Sequence, residues 1–254
     1  MKFAKVYIEI TNSCNLNCTF CSKTNRESRF ISLSEFEHIL REVKDFTSLI
    51  ALHVKGEPFL HPDLKGILNL CEEYRLKVNI TTNGTLLLKN LETVLNSKAI
   101  RQINISLHSA EQNLLDKEEY LRGVLNSVDE IHRHTEIIIS YRLWNLRDIK
   151  ENAVNLEILE KLGKKYNRPQ IVVEASRKDF LELDKKIFIN QDIEFEWPSL
   201  DKAVISEVRK VLWVKKSYCN ISKWRYSTML LRCKRRCYVR KHFRKKVKRS
   251  IRKY

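Results

Sequence analysis

The sequence predicts an α/β protein, an open partial (β/α)6 TIM-like barrel followed by a short basic C-terminal tail that need not fold. Three observations carry this. Alternating, β-branched segments recur along the first 174 residues; amphipathic helical segments separate them; and the connections are short. Repeated βα units with right-handed crossovers give parallel strands with helices outside. Six units are too few to close an eight-stranded barrel.

The elements follow in order. Lys5–Ile10 alternates as a first strand. Ser32 and Glu35 form a capping box, after which Leu33, Phe36, Leu40 and Val43 share one helical face. Leu49–Val54 reads as the second strand and Asp63–Tyr74 as a helix with Leu64, Ile67, Leu68 and Cys71 inward. Lys77–Thr82 is the third strand, ended by the turn signal Asn83-Gly84. Helix over Leu86–Ser97 leads to a fourth strand, Gln102–Leu107. Leu114–His132 is helical, Glu136–Leu143 the fifth strand, Ile149–Tyr166 the fifth helix and Gln170–Glu174 a sixth strand. Lys178–Pro198 reads as an irregular connector with room for a strand pair. Chemistry in such folds sits at the C-terminal ends of the strands.

The formal charge of +17 over 254 residues is not a property of the whole chain. Residues 1–200 carry 28 Lys and Arg against 29 Asp and Glu, whereas residues 201–254 carry 20 against 2. The body therefore has no electrostatic reason to seek nucleic acid or an anionic membrane. No apolar run approaches the roughly 20 residues of a membrane span. The N-terminus lacks the apolar core and cleavage site of a signal peptide, so a cytoplasmic location is expected, where clustered thiols bind metal or do redox chemistry.

The first βα loop reads Cys14-Asn-Leu-Asn-Cys18-Thr-Phe-Cys21. Three thiolates in one loop suit three irons of a 4Fe-4S cluster, with the fourth iron open to an external ligand. Structural zinc asks for four protein ligands, and the nearest other donors in sequence are His38 and His53. A dithiol pair at Cys18 and Cys21 leaves Cys14 unexplained.

Cys-x3-Cys-x2-Cys after a first strand, with Phe20 before the last cysteine, resembles the radical S-adenosylmethionine (SAM) superfamily. Further strand ends agree in order. Lys55-Gly56-Glu57-Pro58 resembles the family's Gly-Gly-Glu-Pro element, which meets the SAM amino group, with Lys55 in place of the first glycine. Thr82-Asn83-Gly84 matches its Thr-Asn-Gly turn. Ser106 falls where a serine contacts the SAM ribose, with His108 beside it. Arg142 on the fifth strand has the SAM carboxylate as the implied partner, and an ion pair with Glu57 or Glu174 as the competing one. The resemblance implies that the reduced cluster cleaves SAM to methionine and a 5′-deoxyadenosyl radical, which takes hydrogen from a peptide, partner enzyme or small molecule. It further implies a flavodoxin- or ferredoxin-like electron donor. No residue is assigned as general acid or base.

The resemblance is nearest to SPASM and Twitch members, which carry an auxiliary-cluster extension. Here that extension is expected to be frameshifted or truncated. A/T-rich codons for Leu212–His242, read one nucleotide later, permit a run with turn glycines and acids and a Pro-Cys-Cys-Leu-Asp element like the Twitch extension. In the given frame, glycine ends at Gly163 and acids at Glu207, and Cys219, Cys233 and Cys237 fit no site. The expected organisation is a radical SAM core over 1–176, a connector over 177–200 and a basic tail over 201–254, with activity of this copy in question. The alternative from another class is a nonenzymatic nucleic-acid-binding protein that uses the tail, with Trp213, Trp224 and Tyr226 for stacking.

Overall fold

The computed structural model describes residues 3–21, 26–109, 116–144, 153–168, 171 and 180–192, together with the backbone of 211–214 and 229–232. Its strands are β1 (Lys5–Tyr7), β2 (Leu49–Ala51), β3 (Lys77–Thr82), β4 (Ile100–Ser106), β5 (Ile138–Leu143), β6 (Phe180–Asp184), β7 (Ile187–Gln191), β8 (Val211–Val214) and β9 (Met229–Arg232). The helices are α1 (Leu33–Val43), α2 (Leu64–Glu73), α3 (Leu91–Asn96), α4 (Lys117–His134) and α5 (Ala153–Lys165). All nine strands join one sheet in the order β6-β7-β5-β4-β3-β2-β1-β9-β8. From β1 through β5 and on to β7 every pairing is parallel; β6, β8 and β9 add antiparallel pairs at the two flanks. The expected open, mostly parallel α/β architecture is therefore present.

Parallel neighbours taken in chain order, each linked by a right-handed crossover, put the helices on one side of the sheet. The alternation of the strands records this. Val78 and Ile80 of β3, Ile103 and Ile105 of β4, and Ile139 and Tyr141 of β5 are buried in one apolar cluster with Phe36, Leu40, Ile67, Leu68, Val124 and Leu162 of the helices. The opposite, inner face carries Asn79 and Thr81, Gln102 and Asn104, Ser140 and Arg142 at the intervening positions. Closed barrels fill that space with bulky branched side chains; here it is polar.

Local signals explain the element ends. Ser32 caps α1 through the amide of Glu35, and the Glu35 carboxylate returns to the Ser32 amide at 3.0 Å, the capping box expected from sequence. Helix α3 is shorter than the predicted Leu86–Ser97 because Asn90 donates its side-chain amide to the carbonyls of Leu86 and Phe59, which holds 85–90 in turns. The predicted sixth strand, Gln170–Glu174, lies outside the described residues apart from Ile171, which is not in a strand. The place beside β5 is held instead by β7, with β6 folded back on it. This hairpin is the strand pair for which the connector had room. Of the tail, the described part is the backbone of β8 and β9, with Lys5 in register with Arg232.

Replacing Ser32 by Ala removes the cap of α1. A loss of about 1 kcal/mol is expected, read as a lower urea midpoint at unchanged m-value.

Candidate active site at the strand ends

The loop after β1 is bound to its neighbours by backbone contacts. Gly56 has φ of 76°, and a Cβ there would lie 2.5 Å from the Thr11 carbonyl and 2.8 Å from that of Ser13. Only glycine accepts both the conformation and the approach. The next amide, Glu57, donates to the Ser13 carbonyl at 2.8 Å. Glycine at this position thus presses the loop after β2 onto the loop that carries the cysteines.

Glu57 is 1 % exposed. Its carboxylate accepts from the amide of Phe59 at 3.1 Å and from the amide of Asn83 at 2.7 Å. Burial pushes its pKa up to about 7, against the pull of these donors. Neither Arg142 nor any other cation is recorded as its ion-pair partner among the described residues, so the competing Arg142–Glu57 pair is absent; Glu174 lies outside them. Pro58 follows as the first residue of a 3-10 turn, Pro58–Leu60, which Glu57 caps.

Asn83 joins the third strand to the cysteine loop. Its side-chain amide donates to Asn15 Oδ1 at 2.9 Å and approaches Cys14 Sγ at 3.8 Å. Its carbonyl accepts the Tyr120 hydroxyl of α4 at 2.7 Å. Gly84, with φ of 84°, packs against Tyr120 and Val124, and its amide donates to Thr82 Oγ1 at 2.9 Å. Tyr120 and Asn15 escaped the sequence reading. Only the fold brings α4 to this turn.

Cys14, Cys18 and Cys21 are in no disulfide among the described residues, two of them exposed and Cys18 half-buried. Among the described residues no three His, Cys, Asp or Glu side chains are gathered for one metal ion. His38 is exposed on α1 and His53 lies on the inner face, so neither completes a zinc set. The donor chemistry fits an iron–sulfur cluster, in which each thiolate takes a separate iron. Partial burial raises both Cys14 and Cys21, with Glu57 adding to the rise at Cys14 and Lys55 opposing it at Cys21. Both thiols are thereby held more strongly in the protonated form.

Across the mouth, Phe20 packs on His108 with centroids 4.9 Å apart. His108 is 6 % exposed, and its Nδ1 lies 3.1 Å from the Arg142 carbonyl and 3.4 Å from the Trp144 amide, a local bonding role. Ser106 ends β4 on the inner face. Arg142 stacks on Trp144 at 4.5 Å and donates to Thr81 Oγ1 at 3.4 Å. Burial lowers it to about 10, so it remains charged at neutral pH, and among the described residues no carboxylate is recorded as its ion-pair partner. A buried cation in that state is a ready anion site.

Gly56→Ala is expected to cost about 1–3 kcal/mol of strain and to loosen the cysteine loop, seen as faster thiol labelling of Cys14. His53 supplies a pH test. Burial, then Arg142 and Lys5, depress its pKa to about 3. Its unfolded form, near 6.5, binds the proton first, so stability is full above that value and falls as pH drops toward 3. The slope of unfolding free energy across that window should be shallower in His53→Gln; an identical slope would show that the ring is not held neutral.

Comparison with known proteins places this arrangement. A probable GTP 3′,8-cyclase of Methanocaldococcus jannaschii is 29 % identical over 133 residues, covering 48 % of this chain and 44 % of the relative. An AdoMet-dependent heme synthase of Methanosarcina barkeri is 25 % identical over 162 residues, 61 % of this chain and 46 % of the relative. The chain spans about half the length of these curated relatives. Among solved structures, BtrN in complex with AdoMet and 2-DOIA aligns at 23 % identity and TM-score 0.44, over 56 % of this chain and 58 % of that one. A model of the radical SAM superfamily matches residues 8–155, more than half of the sequence and all five strand ends described above, and the chain belongs to that superfamily.

Proposed function

We propose that this chain is a radical SAM enzyme whose cluster is held by Cys14, Cys18 and Cys21. One observation carries the reading: the loop bearing three closely spaced cysteines lies at the C-terminal end of β1, and is tied to the ends of the next two strands by the Glu57 amide on the Ser13 carbonyl and by the Asn83 side-chain amide on Asn15 and Cys14. When bound, a 4Fe-4S cluster and SAM together supply one-electron cleavage of SAM to methionine and a 5′-deoxyadenosyl radical.

The chain's own residues bind and orient. Gly56 lets backbone come close where a side chain would block, and Glu57 fixes that loop to the turn at Thr82 and Asn83. The amino end of SAM belongs beside the Gly56-Glu57-Pro58 loop, its ribose beside Ser106, and its carboxylate against the guanidinium of Arg142. Phe20, held on His108, braces the far side of the cysteine loop. A hydrogen-atom abstraction is the reaction class, and a flavodoxin- or ferredoxin-like protein is the electron donor that class requires. No helix among the described residues is long and apolar enough to cross a membrane. The cytosol, where thiols stay reduced, suits such a site.

The family match falls on the near-neutral body rather than the basic tail, which favours the enzyme over a nucleic-acid-binding reading. Within the family, a SPASM or Twitch member with a frameshifted extension accounts for the change of composition after residue 200. A fresh DNA read across codons 200–254 should find one base gained or lost, with further cysteines in the other frame; an intact frame with no alternative sinks that assignment.

Anaerobic reconstitution should give about four irons per chain and, with SAM and dithionite, release 5′-deoxyadenosine. Cys14→Ala should abolish both. Iron uptake that survives this change refutes the cluster assignment. Arg142→Gln should weaken SAM binding by roughly tenfold or more, a charge-assisted pair being lost, at unchanged iron content in equilibrium dialysis.

A further inference from the structure

The inner face of β2 to β5 carries a hydrogen-bonded chain whose direction can be read from its ends. Asn104 Nδ2 lies 3.0 Å from the Ile80 carbonyl, which can only accept, so the Asn104 amide is oriented. Its Oδ1 then accepts from Gln102 Nε2 at 2.8 Å. Gln102 Oε1 faces Asn79 Nδ2 at 3.5 Å and Arg101 Nη1 at 3.3 Å, both donors. The chain ends on Asn79 Oδ1, a buried acceptor with no partner.

A second branch ends on a donor. Thr81 Oγ1 lies 3.2 Å from Asn104 Nδ2 and 3.4 Å from Arg142 Nη1, neither of which can accept. These occupy both lone pairs of the hydroxyl, so its single proton goes to His53 Nε2 at 3.1 Å. The neutral ring must then carry its own proton on Nδ1, and that atom too is buried without a partner. Asn79 pairs in register with Ala51, and His53 lies two residues farther along the same face. The two residues are thus diagonal neighbours on this face. Among the described residues, His53 Nδ1 and Asn79 Oδ1 are the two buried side-chain atoms without a partner, and leaving each so costs stability.

We infer that His53 and Asn79 form a substrate subsite for a lactam or carboxamide edge, with His53 Nδ1–H donating to its carbonyl and Asn79 Oδ1 accepting from its N–H. This rests on the radical SAM reading, under which Arg142, bonded to the same Thr81 hydroxyl, faces SAM. His53 follows the C-terminal end of β2 and Asn79 pairs with that strand's last residue, so a group held there has its remaining atoms near the strand ends. Neither atom alone discriminates; the donor–acceptor pair selects against molecules that offer two acceptors or two donors.

The test is calorimetric titration of the full chain, reconstituted with iron, sulfide and SAM, with guanosine, inosine, 2-aminopurine riboside and N-acetylglutaminamide. At least one of guanosine, inosine or N-acetylglutaminamide should bind, and the riboside that lacks the lactam should not. Tighter binding of the nucleosides assigns the edge to a nucleobase; tighter binding of the amide assigns it to a peptide side chain. Asn79→Leu and His53→Phe should each weaken the best probe by roughly tenfold or more. Asn79→Leu should also leave the melting temperature unchanged or raised, because it removes an unpartnered polar atom. A lower melting temperature with unaltered probe affinity would mean that these atoms serve the fold alone, and would overturn the inference. So would a chain that takes up iron and SAM but binds none of the three probes. A chain that binds a probe through these residues yet takes up no iron overturns only the functional reading.

Discussion

The arrangement depends on one close approach, the Gly56 backbone against the carbonyls of Thr11 and Ser13. A β-carbon at position 56 would have to pass within 2.5 Å of an oxygen. Because none is present, the Glu57 amide reaches Ser13, the Glu57 carboxylate reaches Asn83, and Asn83 reaches Asn15 and Cys14. Three strand ends become one rigid rim. The cost is a carboxyl group buried at 1 % exposure, tolerated because two backbone amides point at it.

The sheet divides its work by face. On the helix side, branched residues at alternate positions build the apolar cluster that supplies most of the stability. On the inner side, amides, hydroxyls and a guanidinium occupy positions that a closed barrel would fill with Val, Ile and Leu. Stability is forgone there, and among the described residues two buried atoms are left without partners. That pattern is expected where a protein keeps binding capacity at the expense of packing.

Much of this was legible in the sequence. Residues 77–82 alternate cleanly and end in Asn-Gly, and β3 has the predicted limits. The Ser32–Glu35 box marked the start of α1, and the cysteine spacing pointed to the proposed site. What failed did so for tertiary reasons. The shortening of α3 depends on Asn90 reaching the Phe59 carbonyl, 31 residues away. The connector's strand pair is β6 and β7, but that β7 lies beside β5 was not readable, because sheet order is set by which segment reaches the open edge. Tyr120 carried no signal, since a tyrosine on an amphipathic helix is ordinarily packing. The polar inner face was present as every second residue of three strands, but alternation says which residues share a face and not what that face surrounds.

The bracing of the cysteine loop at both ends, by Gly56 and Asn83 on one side and by Phe20 on His108 on the other, bears on how metal loading relates to folding. In small zinc modules the ligand loop is disordered until the ion arrives, and binding energy is consumed in ordering the chain. Here the loop is already shaped by contacts that involve no metal. Under the proposed cluster reading, less ordering entropy remains to be lost when the thiolates engage metal than in such a module, so synthesis of the chain and delivery of its metal can be separate events.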